Sequence, residues 1–339
     1  MHNGNVFIIA EAGVNHDGDV EKALEMVDVA ARSGADAVKF QTFKPGECTG
    51  RFAFMTEYQK DGAQPDEDRY MMSARLALPY DDFRRIADYA EERGILFLST
   101  PDGFESLDFL VDEMRIPRIK VGSTEVTNIP YLEAIGKKGL PVILSTGLSS
   151  IGEVEEALTA LRGYGEIPVT VLHCTSEYPA PVDEINLKAM QTIANAFGVE
   201  VGFSDHSEGF EAGIAAVALG ASVIEKHFTL DKELPGPDHK ASLAPEELKA
   251  FVQAVRRTER LLGDGRKLPT ARERENTASI RRSIVAGRPL SVGTVVSAED
   301  LAFKRPGTGI APAHHKDIVG MRLTMDLQED EVITWSHFK

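Results

Sequence analysis

The sequence predicts a (β/α)8 (TIM) barrel followed by a small β-rich domain. Three observations predict it: eight short apolar runs recur between residues 6 and 262, amphipathic segments separate them, and the texture changes after Leu262. The runs are VFIIAEAG (6–13), AVKFQTF (37–43), ILFLSTP (95–101), RIKVGS (118–123), PVILSTG (141–147), VTVLHCTS (169–176), EVGFSDHS (200–207) and SVIEKHFTL (222–230). Near-continuous apolar strands of this kind signal a parallel sheet covered by helices. The first helical stretch, VEKALEMVDVAARSG, sets apolar residues at i, i+3 and i+4 and stops at a glycine. Eight strand–helix units in about 250 residues are what closes such a barrel. An open doubly wound sheet is the rival, but no GxGxxG follows the first strand.

Residues 1–262 are therefore assigned to the barrel. The stretch GDGRKLPTARERENTAS (263–279) is polar, charged and aperiodic, and reads as a linker. Fully extended, such a segment reaches roughly 50 Å, enough to carry the C-terminal region to a neighbouring subunit. Residues 280–339 hold short β-like runs (RRSIVA, GTVVS, LAFKRP, VITW) punctuated by Gly and Pro. A unit that small has a marginal core alone and is expected to dock on the barrel or on a partner.

Composition narrows the function. The 339 residues are 42% hydrophobic and 27% charged, and 53 acidic against 37 basic residues give a net charge of −16. No Lys/Arg block stands out, so a nucleic-acid partner is not expected. No apolar run approaches the roughly 18 residues that span a bilayer, and the start MHNGNVFIIAEAG lacks a basic leader and a cleavage site. Cys48 and Cys174 are too few for a disulfide framework. A cytoplasmic protein with no membrane association is expected. If its ligand is anionic, a few lysines must be gathered locally against an unfavourable global field.

In such barrels the active site lies at the C-terminal strand ends, and there the polar residues accumulate. They are Glu11 with Asn15-His16, Lys39 and Gln41, Ser99-Thr100, Lys120 with Ser123-Thr124-Glu125, Ser145-Thr146, His173 with Thr175 to Tyr178, Ser204-Asp205-His206, and Glu225-Lys226-His227. A polar side chain in an apolar strand is costly unless paired, metal-bound or used. A polar group on all eight strands points to a working mouth. His206 and His227 sit at matching heights on adjacent strands, which suits a divalent ion with open positions for substrate oxygen. His173 lies earlier in its strand and reads as a structural histidine; His314, His315, His337 and His2 read as solvated. Lys39 and Lys120, with Ser123 and Ser145, form a candidate phosphate or carboxylate cradle. The other use of a barrel lysine is Schiff-base chemistry, as in aldolases.

The blocks IIAEAGVNHDG (8–18), GADAVKFQTF (34–43), FLSTP (97–101), ILSTG (143–147), LHCTSEYPAP (172–181), VGFSDHSEGFEAGIAAVALGASVIEKHFTLDKELPGPDHKASL (201–243) and FKRPGTGI (303–310) closely resemble the N-acetylneuraminate (sialic acid) synthase family. The C-terminal region looks like that family's antifreeze-like (SAF) domain. The resemblance implies a transferase that condenses phosphoenolpyruvate and water with an N-acylated hexosamine, giving a nine-carbon nonulosonic acid and phosphate. It also implies a divalent metal, Mn2+ before Mg2+ or Co2+, and a domain-swapped homodimer. Carried over by motif, His206 in SDH and His227 in EKH would hold the metal. Lys39, Lys120, Ser123, Ser145 and Ser204 would contact phosphoenolpyruvate; Gln41, Thr100, Tyr178 and Asp238 would contact the sugar. Glu11 and Glu125 would be the acid/base candidates, and Arg305 would reach the sugar's N-acyl group across the dimer. Two departures stand out: Lys120-Val-Gly-Ser-Thr-Glu125 replaces a KIPSGE pattern, and STPDGFES replaces an STPFD-type turn.

The sugar stays open between N-acetylmannosamine and a 2,4-diacetamido-6-deoxymannose, whose product would be N,N'-diacetyllegionaminic acid. More remote are a Schiff-base aldolase and a non-catalytic carbohydrate- or ice-binding protein, the last at odds with the polar ring.

Overall fold

A computed structural model describes residues 5–338; the expectation for His2 falls outside them. Eight strands form one sheet in the order β3-β2-β1-β8-β7-β6-β5-β4. They are β1 (Phe7–Gly13), β2 (Ala37–Thr42), β3 (Leu96–Pro101), β4 (Ile119–Val121), β5 (Val142–Ser145), β6 (Val169–Cys174), β7 (Glu200–Asp205) and β8 (Val223–His227). Every ladder is parallel. The outermost strands β3 and β4 lie alongside each other, so the sheet curls into a nearly closed TIM-like barrel.

Each strand serves two cores because its side chains alternate. Phe7, Ile9, Leu98, Ile143, Leu172 and Val223 point inward and plug the lower barrel. Ile8, Ala10, Val38, Leu144, Val171 and Ile224 point outward and meet the helices. The helix Val20–Ser33 shows how the covering layer forms. Asp19 caps its start by accepting from the Glu21 N–H, and Gly34 ends it at φ 81°. Between them Ala23, Met26, Val27 and Ala30 bury one stripe against the sheet. The last barrel helix, Pro245–Leu262, ties the ring shut: Arg256 pairs with Asp36 at 2.6 Å and donates to the Val6 carbonyl at 2.6 Å.

The same alternation corrects the expected polar ring. Ser99, His173, Asp205 and Lys226 cannot face the mouth, since each directly adjoins an inward-facing neighbour. His173 points out, with Nε2 2.6 Å from the Ile185 carbonyl. Lys226 and Asp205 form an ion pair at 3.2 Å behind the sheet, where Lys226 also donates to the Ser207 carbonyl at 2.5 Å.

The chain divides into two compact units, Met1–Gly263 and Asp264–Lys339. In the second, β9 (Ser283–Ala286) and β10 (Leu301–Lys304) pair antiparallel over a small core that includes Ile284, Leu290, Ile310 and Leu323. The stretch expected to be aperiodic carries two short helices, Ala271–Glu275 and Thr277–Ile280. Thr270 and Glu273 cap the first reciprocally, the T-x-x-E signal of a helix start. Apolar periodicity misses it because the helix buries nothing. No helix among the described residues is long and apolar enough to cross a membrane.

Lys226→Ala would strand the Asp205 carboxylate in the sheet–helix layer. A loss of about 3–5 kcal/mol is expected for such a broken buried pair, read as a lowered urea midpoint; an unchanged midpoint would show the pair to be idle.

Candidate active site

Above the apolar plug the inward positions turn polar, and strand register decides which of them meet. Glu11 is level with Lys39 on one side and His227 on the other. Ser204 is level with Glu225 and with Cys174. The result is a dry cluster of two lysines and two glutamates. Lys39 Nζ lies 2.8 Å from Glu11, 3.7 Å from Glu225 and 2.9 Å from the Thr100 hydroxyl. Lys120 Nζ donates to Ser145 at 2.8 Å and lies 3.5 Å from Glu225. Glu225 also accepts from Ser204 at 2.8 Å. All four charged side chains are at most 5% exposed.

Shared burial separates their titrations. Burial pushes the Glu11 carboxyl up to about 7 against the pull of Lys39, with Glu225 adding to the rise. Burial acts in the same sense on Glu225, but Lys120 and Lys39 together hold it well below the usual carboxylate range. Lys120 is lowered by burial, opposed by Glu225. Two carboxyls of one type thus take different protonation states near neutral pH, a recurrent sign of acid/base assignment.

Gly13 and Gly147 keep the cluster open. Gly13 sits at φ 54°, a left-handed conformation that favours glycine, beside a shift in the β1–β2 register, and a Cβ there would touch Gln41, Glu11 and His227 at 3.4–3.5 Å. A Cβ on Gly147 would collide with the Ser176 hydroxyl and approach Ser123 Oγ to 3.1 Å. Instead the Gly147 N–H donates to Ser123 at 2.9 Å, which fixes that hydroxyl in the turn after β4.

His206 and His227 meet at the mouth with ring centroids 5.5 Å apart. His206 Nδ1 is 2.7 Å from the Thr175 carbonyl, which makes Nδ1 the protonated nitrogen and leaves the lone pair on Nε2. Tyr178 stacks on that ring at 4.1 Å, its hydroxyl 3.1 Å from Nε2. His227 is buried with Nδ1 unpartnered, and burial holds it neutral, well below the usual imidazole range. Two imidazoles, one with its tautomer fixed by a backbone carbonyl and the other held neutral by burial, are the donor chemistry a divalent transition ion takes. The residues present fit such an ion with positions left for water or substrate oxygen. No group of three or more His, Cys, Asp or Glu side chains suited to a metal occurs among the described residues.

A second pocket opens beside the histidines, lined by Gln41, Tyr178 and Asp238 together with Tyr58, Arg69 and Asp102. Asp238 is buried, which raises its carboxyl. It is positioned through its neighbour His239, whose ring is 3.0 Å from Asp17 and 2.7 Å from the Thr229 hydroxyl. Tyr58 and Arg69 come from the long excursion between β2 and β3, on the helices Glu57–Asp61 and Arg69–Leu76.

The structure thus gathers Glu11, Lys39, Thr100, Lys120, Ser123, Ser145, Ser204, His206 and His227 in one mouth, with Gln41, Tyr178 and Asp238 at its side. Glu125 is not in the cluster: it lies half-buried in the turn Ser123–Glu125 and accepts from Asn128 at 2.6 Å. Arg305 belongs to the second unit, where its Nε donates to the Ile280 carbonyl at 2.9 Å. The expected set omitted Glu225 and Cys174. Both were signalled by spacing, Glu225 two residues before His227 and Cys174 one after the outward His173. Arg69 and Tyr58 had no such signal.

Comparison with known proteins accords with this geometry. A SAF domain model matches residues 281–339. The N,N'-diacetyllegionaminic acid synthase of Legionella pneumophila is 46% identical over 98% of this chain and 94% of its own length. The Campylobacter jejuni protein of the same name is 45% identical over 96% and 98%. The crystal structure of an N-acetylneuraminic acid (sialic acid) synthetase from Leptospira borgpetersenii superposes with a TM-score of 0.72 at 36% identity, covering 80% of this chain and 90% of that one. With the NeuB family model matching residues 26–267, the chain belongs to the NeuB family.

Proposed function

We propose that the protein is a transferase of the alkyl/aryl type that condenses phosphoenolpyruvate and water with an N-acylated hexosamine, yielding a nine-carbon 2-keto sugar acid and phosphate. The observation that carries this is the Lys39–Lys120 pair, buried beside Ser145 and Ser204 and next to a two-imidazole mouth. The names of the two relatives above favour a 2,4-diacetamido-6-deoxymannose over N-acetylmannosamine.

Lys39 and Lys120 hold the phosphate and carboxylate, helped by Ser123, Ser145 and Ser204. Gln41, Thr100, Tyr178 and Asp238 orient the open-chain sugar so that its aldehyde carbon faces C3 of phosphoenolpyruvate. His206 and His227 would hold a divalent ion, Mn2+ in our reading, which would supply Lewis-acid polarisation of the aldehyde. A C–C bond forms between C3 and the aldehyde carbon as the C=O pair moves onto the aldehyde oxygen, which becomes a hydroxyl with the proton later released from water, and positive charge develops at C2. Water adds at C2 as ionised Glu11 takes its proton. The C2–O bond to phosphorus then breaks, leaving a ketone and phosphate, whose charge the two lysines stabilise. Glu225 touches both lysines and acts by aiming them.

In the same reading the protein is a cytoplasmic homodimer in which the second unit crosses over and Arg305 reaches the sugar's N-acyl oxygen. Phe52 and Phe54 of the barrel unit are 93% and 94% exposed, as is half of Trp335 in the other unit. Exposed aromatic surface of this kind is what assembly covers.

Phosphate release from phosphoenolpyruvate should require both the diacetamido sugar and a divalent ion. Chelation or His227→Ala should abolish it, and His227→Ala should also weaken Mn2+ binding measured without substrates. Sugar-independent release, or undiminished Mn2+ binding in His227→Ala, would refute the reading.

Glu11 works as a base only when ionised. Activity (kcat/KM) should therefore rise with pH through about 7 and level off above it. Glu11→Gln should lose about 10²–10⁴-fold in rate, together with that acidic limb; an identical limb in the variant would assign it to another group.

A further inference from the structure

Asp102 and Arg69 line the same pocket, and neither is paired with the other. Asp102 lies at the end of β3 in the turn that departs from the STPFD pattern. Its carboxyl makes no hydrogen bond or ion pair with any described residue, although burial raises it to about 7. The turn is fixed from below: Gly103 has φ 147°, and a side chain there would run into the Glu47 carboxyl, which accepts from the Glu105 N–H and the Ser106 hydroxyl. Arg69 opens the helix Arg69–Leu76, capped by Asp68, and its guanidinium makes only a 3.5 Å contact to Ser73. Two separately anchored elements therefore hold an acceptor and a five-donor fork apart across one pocket. Phe43 and Leu76 add an apolar side to it.

A secondary amide matches this arrangement as a hydroxyl does not. Its N–H needs an acceptor and its C=O a donor, on opposite edges of one planar group. A hydroxyl can also donate and accept, but only from a single oxygen atom, so it does not span an acceptor and a donor that stand apart, and one of the two is left unmatched. The predicted contacts to the sugar's first N-acyl group lie elsewhere, on Arg305. We infer that Arg69 and Asp102 are specificity-determining residues that read a second acetamido group, Arg69 donating to its carbonyl and Asp102 accepting from its N–H. The inference rests on the condensation proposed above and deepens it.

The test is competition between 2,4-diacetamido-2,4,6-trideoxymannose and N-acetylmannosamine, with kcat/KM taken for each. Wild type should prefer the diacetamido sugar. Asp102→Leu and Arg69→Met should each lower that preference by about 10²-fold, chiefly through KM, and Asp102→Asn, which keeps an acceptor oxygen, should restore much of it. Turnover of N-acetylmannosamine reports that each variant is folded. Equal losses on both sugars, or an unaltered preference, would overturn the inference. A wild type that uses N-acetylmannosamine alone would overturn it too, while sparing the condensation. A wild type inert with both sugars would overturn the condensation itself.

Discussion

Two lysines and two glutamates share the interior of the barrel, and the site depends on their mutual neutralisation. A lone charge at such depth is costly, and removing any one member leaves a buried partner uncompensated. The four come from β1, β2, β4 and β8, so the cluster also reports on the register of half the barrel. Glu225 stands 3.5 and 3.7 Å from the two lysines, near enough to favour their charged forms. The barrel thereby keeps two ammonium groups pointed at a ligand position.

Alternation along the strands divides labour between inside and outside. Glu225, Lys226 and His227 are consecutive, yet the first and third face the mouth while the second pairs with Asp205 behind the sheet. Loops supply what strands cannot. The segment Pro237-Asp238-His239 is held by Asp17 and Thr229, and a Cβ on Gly62 would strike the backbone of Gly236 and Pro237. The mouth excursion and the loop after β8 are therefore in direct contact, and the pocket between them is shaped by both.

The same geometry explains how much was legible in the sequence. Strand count, helix starts and the polar strand ends were visible because period-2 and period-3.6 patterns are local properties of the chain. Motif resemblance carried individual residues to the mouth with little loss, as Lys39, Lys120, Ser204 and the two histidines illustrate. Three kinds of residue escaped. Outward groups such as Asp205 read as mouth residues because adjacency in sequence does not show which face of a strand a side chain takes. Glu225 was seen but given no role, since its role is relational and appears only when two lysines from other strands arrive beside it. Arg69 sits on an eight-residue helix within an excursion that has no strand to register it. Only tertiary packing brings it to Asp102's pocket.

The net charge of −16 and an anionic ligand are compatible once distance and screening are considered. Surface carboxylates act through water and salt, where interactions fade beyond about 8–10 Å at physiological ionic strength. The lysines act inside a low-dielectric cavity at contact distance, where each interaction is far stronger. The acidic exterior therefore slows the approach of an anion more than it weakens its binding. Local order outweighs global charge because Lys39 and Lys120 are fixed by Thr100, Ser145 and Glu225 before any ligand arrives, so little further side-chain freedom is lost when one does.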